Sequence, residues 1–184
     1  MISEKIASGF PHKSGLSLWH QRSLGVGIES GVLAWFSSAV LPCVGSGVVG
    51  SGSASGVFVV PPNFGLVEAG LRSGGLGGVL LSDLTVALTL GISGTYSLSG
   101  VSAGVGVGSF GGSGVGLGLS ELLSASIKSG LVSSGVVGFY DIGYGVSNGI
   151  FNLMRSGIVQ GGVITGSALG SSPSTSMLSL KLGV

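Results

Sequence analysis

The chain carries a recurring phrase in which an apolar residue, a charged residue and Ser-Gly lead into more apolar positions. Copies stand at Ile28-Glu29-Ser30-Gly31-Val32, Leu71-Arg72-Ser73-Gly74, Ile127-Lys128-Ser129-Gly130-Leu131 and Met154-Arg155-Ser156-Gly157-Ile158. Around them small residues fall four apart: Gly74 and Gly78; Ser126, Gly130, Ser134 and Gly138; Gly157 and Gly161. Four-residue spacing lines these positions along one helical face, where a missing side chain lets a second backbone come close. The pattern predicts a pair of helices over Leu119 to Val137 and Val146 to Ile164, joined through 138–145. Two more are expected over Phe64 to Leu76, behind Pro61-Pro62, and over Ser82 to Leu90, with Asp83 near its start.

Elsewhere the period is two. Residues 56–60, 96–110 and 177–184 alternate or run apolar in the manner of strands. Glycine alternating with valine weakens a strand unless something packs flat on it. Gly45 to Gly56 reads as a flexible loop and Gly170 to Thr175 as a second one. The fold class expected is α+β: glycine-rich, small-residue helices packed in pairs with short extended segments, built on a repeated Ser-Gly packing unit and assembled as an oligomer. Residues 1–24 read as an N-terminal arm, and 25–184 as a single glycine-rich packing domain.

Composition sharpens this picture. Glycine supplies 39 of 184 residues and hydrophobic residues 44%, while charged residues make up only 7%. An ordinary soluble domain carries roughly 25% charge, so much of this surface is expected to be covered by lipid or by more protein. Mean hydropathy is +0.75, which argues against a disordered linker. A net charge of +1 argues against nucleic acid as a partner, since phosphate binding needs a basic face. The charge-free stretches 30–67, 84–120 and 156–180 invite a membrane reading. Gly, Ser, Thr and Pro break them every few residues, however, and the best spanning candidate, 31–50, contains Pro42.

Candidate chemistry is thin. Gly45-Ser-Gly47-Val-Val-Gly50 and Gly106-Val-Gly108-Ser-Phe-Gly111 fit a dinucleotide-binding glycine pattern but lack its strand-turn-helix context. Gly100-Val-Ser102-Ala-Gly104 and Gly145-Val-Ser147-Asn-Gly149 fit a nucleophile elbow, yet no histidine follows either, as that fold requires. His12, His20 and Glu29 fall short of a standard metal spacing. Cys43 is the one cysteine, so no internal disulfide forms. The start of the chain shows no secretory pattern, and synthesis in a cytoplasm is expected. No enzymatic role, cofactor or metal is expected. The residues expected to act are subunit-packing positions: Gly31, Gly74, Gly78, Gly130, Ser134, Gly157 and Gly161.

The run Gly104-Val-Gly-Val-Gly108, the repeated Ser-Gly-apolar phrases and Ile164-Thr-Gly-Ser-Ala-Leu-Gly170 resemble, in composition, small structural proteins of tailed bacteriophages. The resemblance implies a virion component packed around a symmetry axis or against other virion proteins, and it carries no functional residues across. The alternative is a membrane-active protein whose small-residue helices associate in a bilayer as a pore or conduit.

Overall fold

The computed structural model describes residues 1–118, 120–135 and 142–184, with the backbone alone for 171–174. It is mixed α and β, and its contacts divide the chain into two units. One, of residues 1–35, 61–93 and 119–154, is helical; the other, of residues 36–60, 94–118 and 155–184, is a β-barrel. Residues 1–24 lie in the helical unit.

The helical unit contains α1 (Ile2–Gly9), α2 (Leu18–Phe36), which ends at the junction, α3 (Phe64–Ser73), α4 (Gly78–Ile92), α5 (Ser120–Ser133) and α6 (Ile142–Arg155). Polar residues start two of them. The Ser17 hydroxyl accepts from His20 N at 3.3 Å, and Asn63 Oδ1 accepts from Leu66 N at 3.2 Å, so each satisfies a donor the first helical turn leaves free. Along α4, Thr85 and Thr89 return their hydroxyls to the carbonyls of Leu81 and Thr85, both at 2.7 Å, which lets two polar side chains stay buried. Buried Asp83 holds the 14–15 turn, accepting from Ser14 Oγ at 2.7 Å and Gly15 N at 3.3 Å. The core is mostly aliphatic, with Ile6, Leu24, Ile28, Leu71, Leu84, Leu88, Leu123 and Ile127 fully buried, and it includes the fully buried indole of Trp35.

The barrel has four strands: β1 (Val40–Val60), β2 (Gly94–Ala103), β3 (Val107–Gly111) and β4 (Ile158–Gly183), all antiparallel. β1 and β4 are long enough to be used twice. The end of β1 pairs with β2 on one side and with the start of β4 on the other; the start of β1 pairs with β3 and with the end of β4. β4 then closes the ring against β2 at 180–183 and against β3 at 162–164. Closure pairs the outer strands to each other through these short ladders and so shortens the open sheet edge. The register of β1 on β4 slips between Ser55 and Val57, where Gly161 takes φ +60 and so absorbs the extra residue of the bulge.

The barrel interior changes character along its length. One part is filled by Leu41, Phe58, Tyr96, Leu98, Ile164, Leu178 and Leu180, with Phe36 edge-on to Tyr96 at 5.1 Å between ring centroids. Another part is lined by glycine. A Cβ on Gly47 would lie 2.7 Å from Gly108 Cα, and one on Gly52 would lie 2.5 Å from Thr165 O and 2.8 Å from Gly106 O. The strands are drawn together there to near backbone contact, which glycine alone permits.

Several expectations from the sequence are corrected. Residues 45–56 and 170–175 lie in β1 and β4 and are not loops: 45–56 pair along most of their length with β4 on one side and with β3 or β2 on the other, and 173–175 pair with β1 at Ser46–Val48. The extended segments are therefore long, not short. The last expected helix stops at Arg155, and Ile158 onward is strand: the β-branched pairs Ile158-Val159 and Val163-Ile164 fit a pleated sheet better than a helix. The spanning candidate 31–50 is broken, with α2 ending at Phe36 and β1 starting at Val40. The ends of the expected 119–137 helix at 119 and 136–137, and residues 138–141 of the expected connection, lie outside the described residues, while 142–145 belong to α6 and not to a connection.

Candidate functional site

The densest feature of the helical unit is a pair of glycine crossings. Where α2 meets α5, a Cβ on Gly31 would lie 2.5 Å from Ile127 Cα, and one on Gly27 would lie 2.7 Å from Ser134 Oγ and 2.9 Å from Gly130 O. Where α3 meets α6, Gly70 and Gly74 stand against Gly149 and Gly145. In both crossings residue numbers rise along one helix as they fall along its neighbour, so the helices run antiparallel. Lys128 extends its stem across Gly143, where a Cβ would lie 2.7 Å from Lys128 Cγ.

These contacts bring Gly31, Gly130 and Ser134 together in one crossing and place Gly74 in the other, all within a single chain. The remaining three candidates lie elsewhere. Gly78 has φ +64 at the start of α4 and faces open space; Gly157 precedes β4, where a Cβ would run into the Phe58 ring; Gly161 is the bulge residue. The partner glycines Gly27, Gly70, Gly145 and Gly149 escaped the sequence reading. Their signal was present, since Gly27 and Gly31, Gly70 and Gly74, and Gly145 and Gly149 are each four apart.

The strings with catalytic overtones take structural places. Gly45 to Gly50 lies within β1, and Gly106 to Gly111 runs into β3. Ser102 gives its hydroxyl to Val105 O, and Ser147, inside α6, gives its hydroxyl to Tyr144 O at 2.8 Å. Glu29 accepts from Ile2 N at 3.1 Å and Ser3 N at 3.2 Å, fastening the start of α1 to α2. Among the described residues no group of three or more His, Cys, Asp or Glu side chains is placed to hold a metal ion. Burial pushes the Cys43 thiol up to about 11 and raises the Tyr96 phenol further from its ordinary range.

Two grooves open on the helical unit. One, about 520 Å³, runs between α1 and α2 and is lined by Met1, Ala7, Leu18, Gln21, Arg22 and Val26 among others. The other, about 480 Å³, lies between α3 and α4 beside the Glu68–Arg72 ion pair, whose Nη2 to Oε1 distance is 2.7 Å. Neither lining joins a histidine or cysteine to a carboxylate.

The second unit has two charged residues, Lys181 on β4 and Arg155, the last residue of α6, where that unit's final segment begins. Large apolar side chains stand out from its barrel, including Val44, Val101, Leu169 and Met177, with Val101 75% and Leu169 81% exposed. No helix of the described residues is long and apolar enough to cross a membrane. No protein-family model, curated protein or solved structure matches the chain.

Proposed function

We propose that this protein is a non-enzymatic structural subunit of a large symmetric assembly, a component of a tailed-phage virion, that meets copies of itself and other proteins of the same particle. The observation that carries the reading is the barrel surface, where Val44, Val101, Leu169 and Met177 are exposed on a unit with two charged residues. Such a surface is costly to leave in water, and covering it with protein contributes roughly 25 cal/mol per Å² of apolar area. Glycine-mediated packing belongs to the same reading. The helix crossings already take up Gly31, Gly74, Gly130 and Ser134, so contacts between subunits fall to the exposed apolar residues and to symmetry that repeats them. With a net charge of +1, nucleic acid is not among the partners.

A second reading is favoured by the antiparallel glycine crossings of α2 with α5 and α3 with α6, the kind of contact by which helices associate in lipid. Under it the protein is membrane-active. One experiment separates the two: light scattering on the purified chain without detergent, beside flotation with anionic and neutral vesicles. A defined large oligomer that ignores vesicles, and the chain's presence in purified particles by mass spectrometry, supports the structural subunit. Flotation with leakage of the vesicles supports the membrane reading, and a stable monomer indifferent to lipid defeats both.

A further inference from the structure

The outward face of α2 carries a pattern that matches itself in reverse. At 3.6 residues per turn, Leu18, Trp19, Arg22, Val26, Glu29, Ser30 and Leu33 fall within an arc of about 120°. Gly25, Gly27, Ile28, Gly31, Val32 and Trp35 occupy the rest of the circumference and are buried. The apolar members of the outward arc are open to solvent: Leu18 is 70% exposed, Trp19 58%, Val26 55% and Leu33 42%. Arg22 and Glu29 lie equally far from the midpoint between Gly25 and Val26, and so do Leu18 and Leu33.

We propose that this stripe is a docking surface for a second copy of the chain, α2 against α2 and antiparallel across a two-fold axis beside Val26. The inference rests on the assembly reading above and names one of its contacts. In that arrangement Arg22 of each copy meets Glu29 of the other, twice, and Leu18 of each meets the other's Leu33. A parallel arrangement would instead set Arg22 against Arg22 and Glu29 against Glu29. The charge order therefore selects the antiparallel register as well as the partner. Glu29 is available for this. Ile2 N and Ser3 N each occupy a different one of its oxygens, and each oxygen keeps a second acceptor position. The groove between α1 and α2, lined by Leu18, Arg22 and Val26, gives the second copy's apolar side chains a place beside the axis.

The test is cross-linking of the full chain with cysteine at the axis. Val26→Cys is expected to form a disulfide-linked dimer under mild oxidation, while Val79→Cys, on α4 and more solvent-exposed than Val26, is not; the native Cys43 is buried and silent. Arg22→Glu sets two carboxylates against each other at both contacts. It is expected to weaken dimerisation about tenfold, and the native dimer is expected to loosen as salt rises. Val26→Cys that links no better than Val79→Cys overturns the proposal. So does an oligomer indifferent to Arg22→Glu, an outcome that leaves the assembly reading standing on another surface. A dimer broken by Arg22→Glu, with no larger particle ever formed, upholds the docking surface and overturns the assembly reading. A monomer that floats with vesicles and does not cross-link overturns both.

Discussion

Gly70 and Gly149 meet backbone to backbone where α3 crosses α6, so that a Cβ on Gly70 would lie 2.5 Å from Gly149 Cα. Two main chains cannot yield as a flexible side chain does. Gly70→Ala is therefore expected to destabilise the protein by about 1–3 kcal/mol, the usual cost of overpacking. Gly65, on the exposed side of the same helix, provides the contrast, because a Cβ there meets only Asn63 Oδ1 at an ordinary 3.5 Å. Gly65→Ala should stabilise by up to about 1 kcal/mol through helix propensity. Urea denaturation of the two variants should move in opposite directions, and equal losses would show that crossing geometry is not the determinant.

Gly31 and Gly130 share the other crossing, where a Cβ on Gly130 would lie 3.0 Å from Gly31 N. Once one alanine has forced α2 and α5 apart, the second meets less resistance. The double variant Gly31→Ala with Gly130→Ala is expected to cost less than the two single losses together, by more than about 0.5 kcal/mol. Additive losses in a double-mutant cycle would mean that the two glycines pack independently.

Glu29 accepts from the first amides of α1, Ile2 N and Ser3 N, donors that no turn of that helix can satisfy. Its negative charge also sits at the positive end of the α1 dipole. Glu29→Gln keeps the shape and removes the charge, so a loss of about 1 kcal/mol is expected. The loss should be local. Amide exchange at Ile6 and Ala7 should speed up while exchange in α5 stays unchanged.

Cys43 and Tyr96 are both buried in the barrel, and burial disfavours their anions, with the thiol pushed up to about 11. The unfolded chain ionises these groups first, so the stability they contribute is complete below about pH 9. For the thiol it is lost as pH rises from about 9 to about 11, by about 1.4 kcal/mol per pH unit. Tyr96 extends the loss to higher pH. Thermal melts between pH 8 and 11 should show the decline, and Cys43→Ser should flatten its first part. In the native protein at pH 8 the thiol should resist iodoacetamide until denaturant is added; prompt labelling would place it at the surface.

The helices over 64–73, 78–92 and 120–133 were legible because Pro61-Pro62 precede the first, Asp83 lies in the second and small residues recur every four positions, although α4 starts at Gly78, four residues before the expected Ser82. Gly31, Gly130 and Ser134 stood out as packing positions, but as contacts between subunits: no helix was expected over 18–36, and the partner expected for the 119–137 helix was 146–164 and not α2. The Gly157 and Gly161 spacing misled. There the four-residue interval coincides with a position under the Phe58 ring and a bulge residue at φ +60, neither of which belongs to a helix. Spacing reports a face only when the intervening backbone is helical, and in 156–164 the β-branched pairs Ile158-Val159 and Val163-Ile164 already lean towards strand.

The amino-acid order alone determined the mixture of helix and strand, the scarcity of charge and some of the positions at which two helices touch, Gly31, Gly74, Gly130 and Ser134, because these follow from side-chain chemistry and periodicity. Tertiary structure decided that Gly45 to Gly56 and Gly170 to Thr175 are strand and that β1 and β4 each serve the barrel twice. It also decided that the glycines at 47, 52 and 108 draw its strands together. Glycine and serine express little conformational preference of their own. Their state is set by the hydrogen-bonding partners and close backbones that arrive only when distant parts of the chain meet.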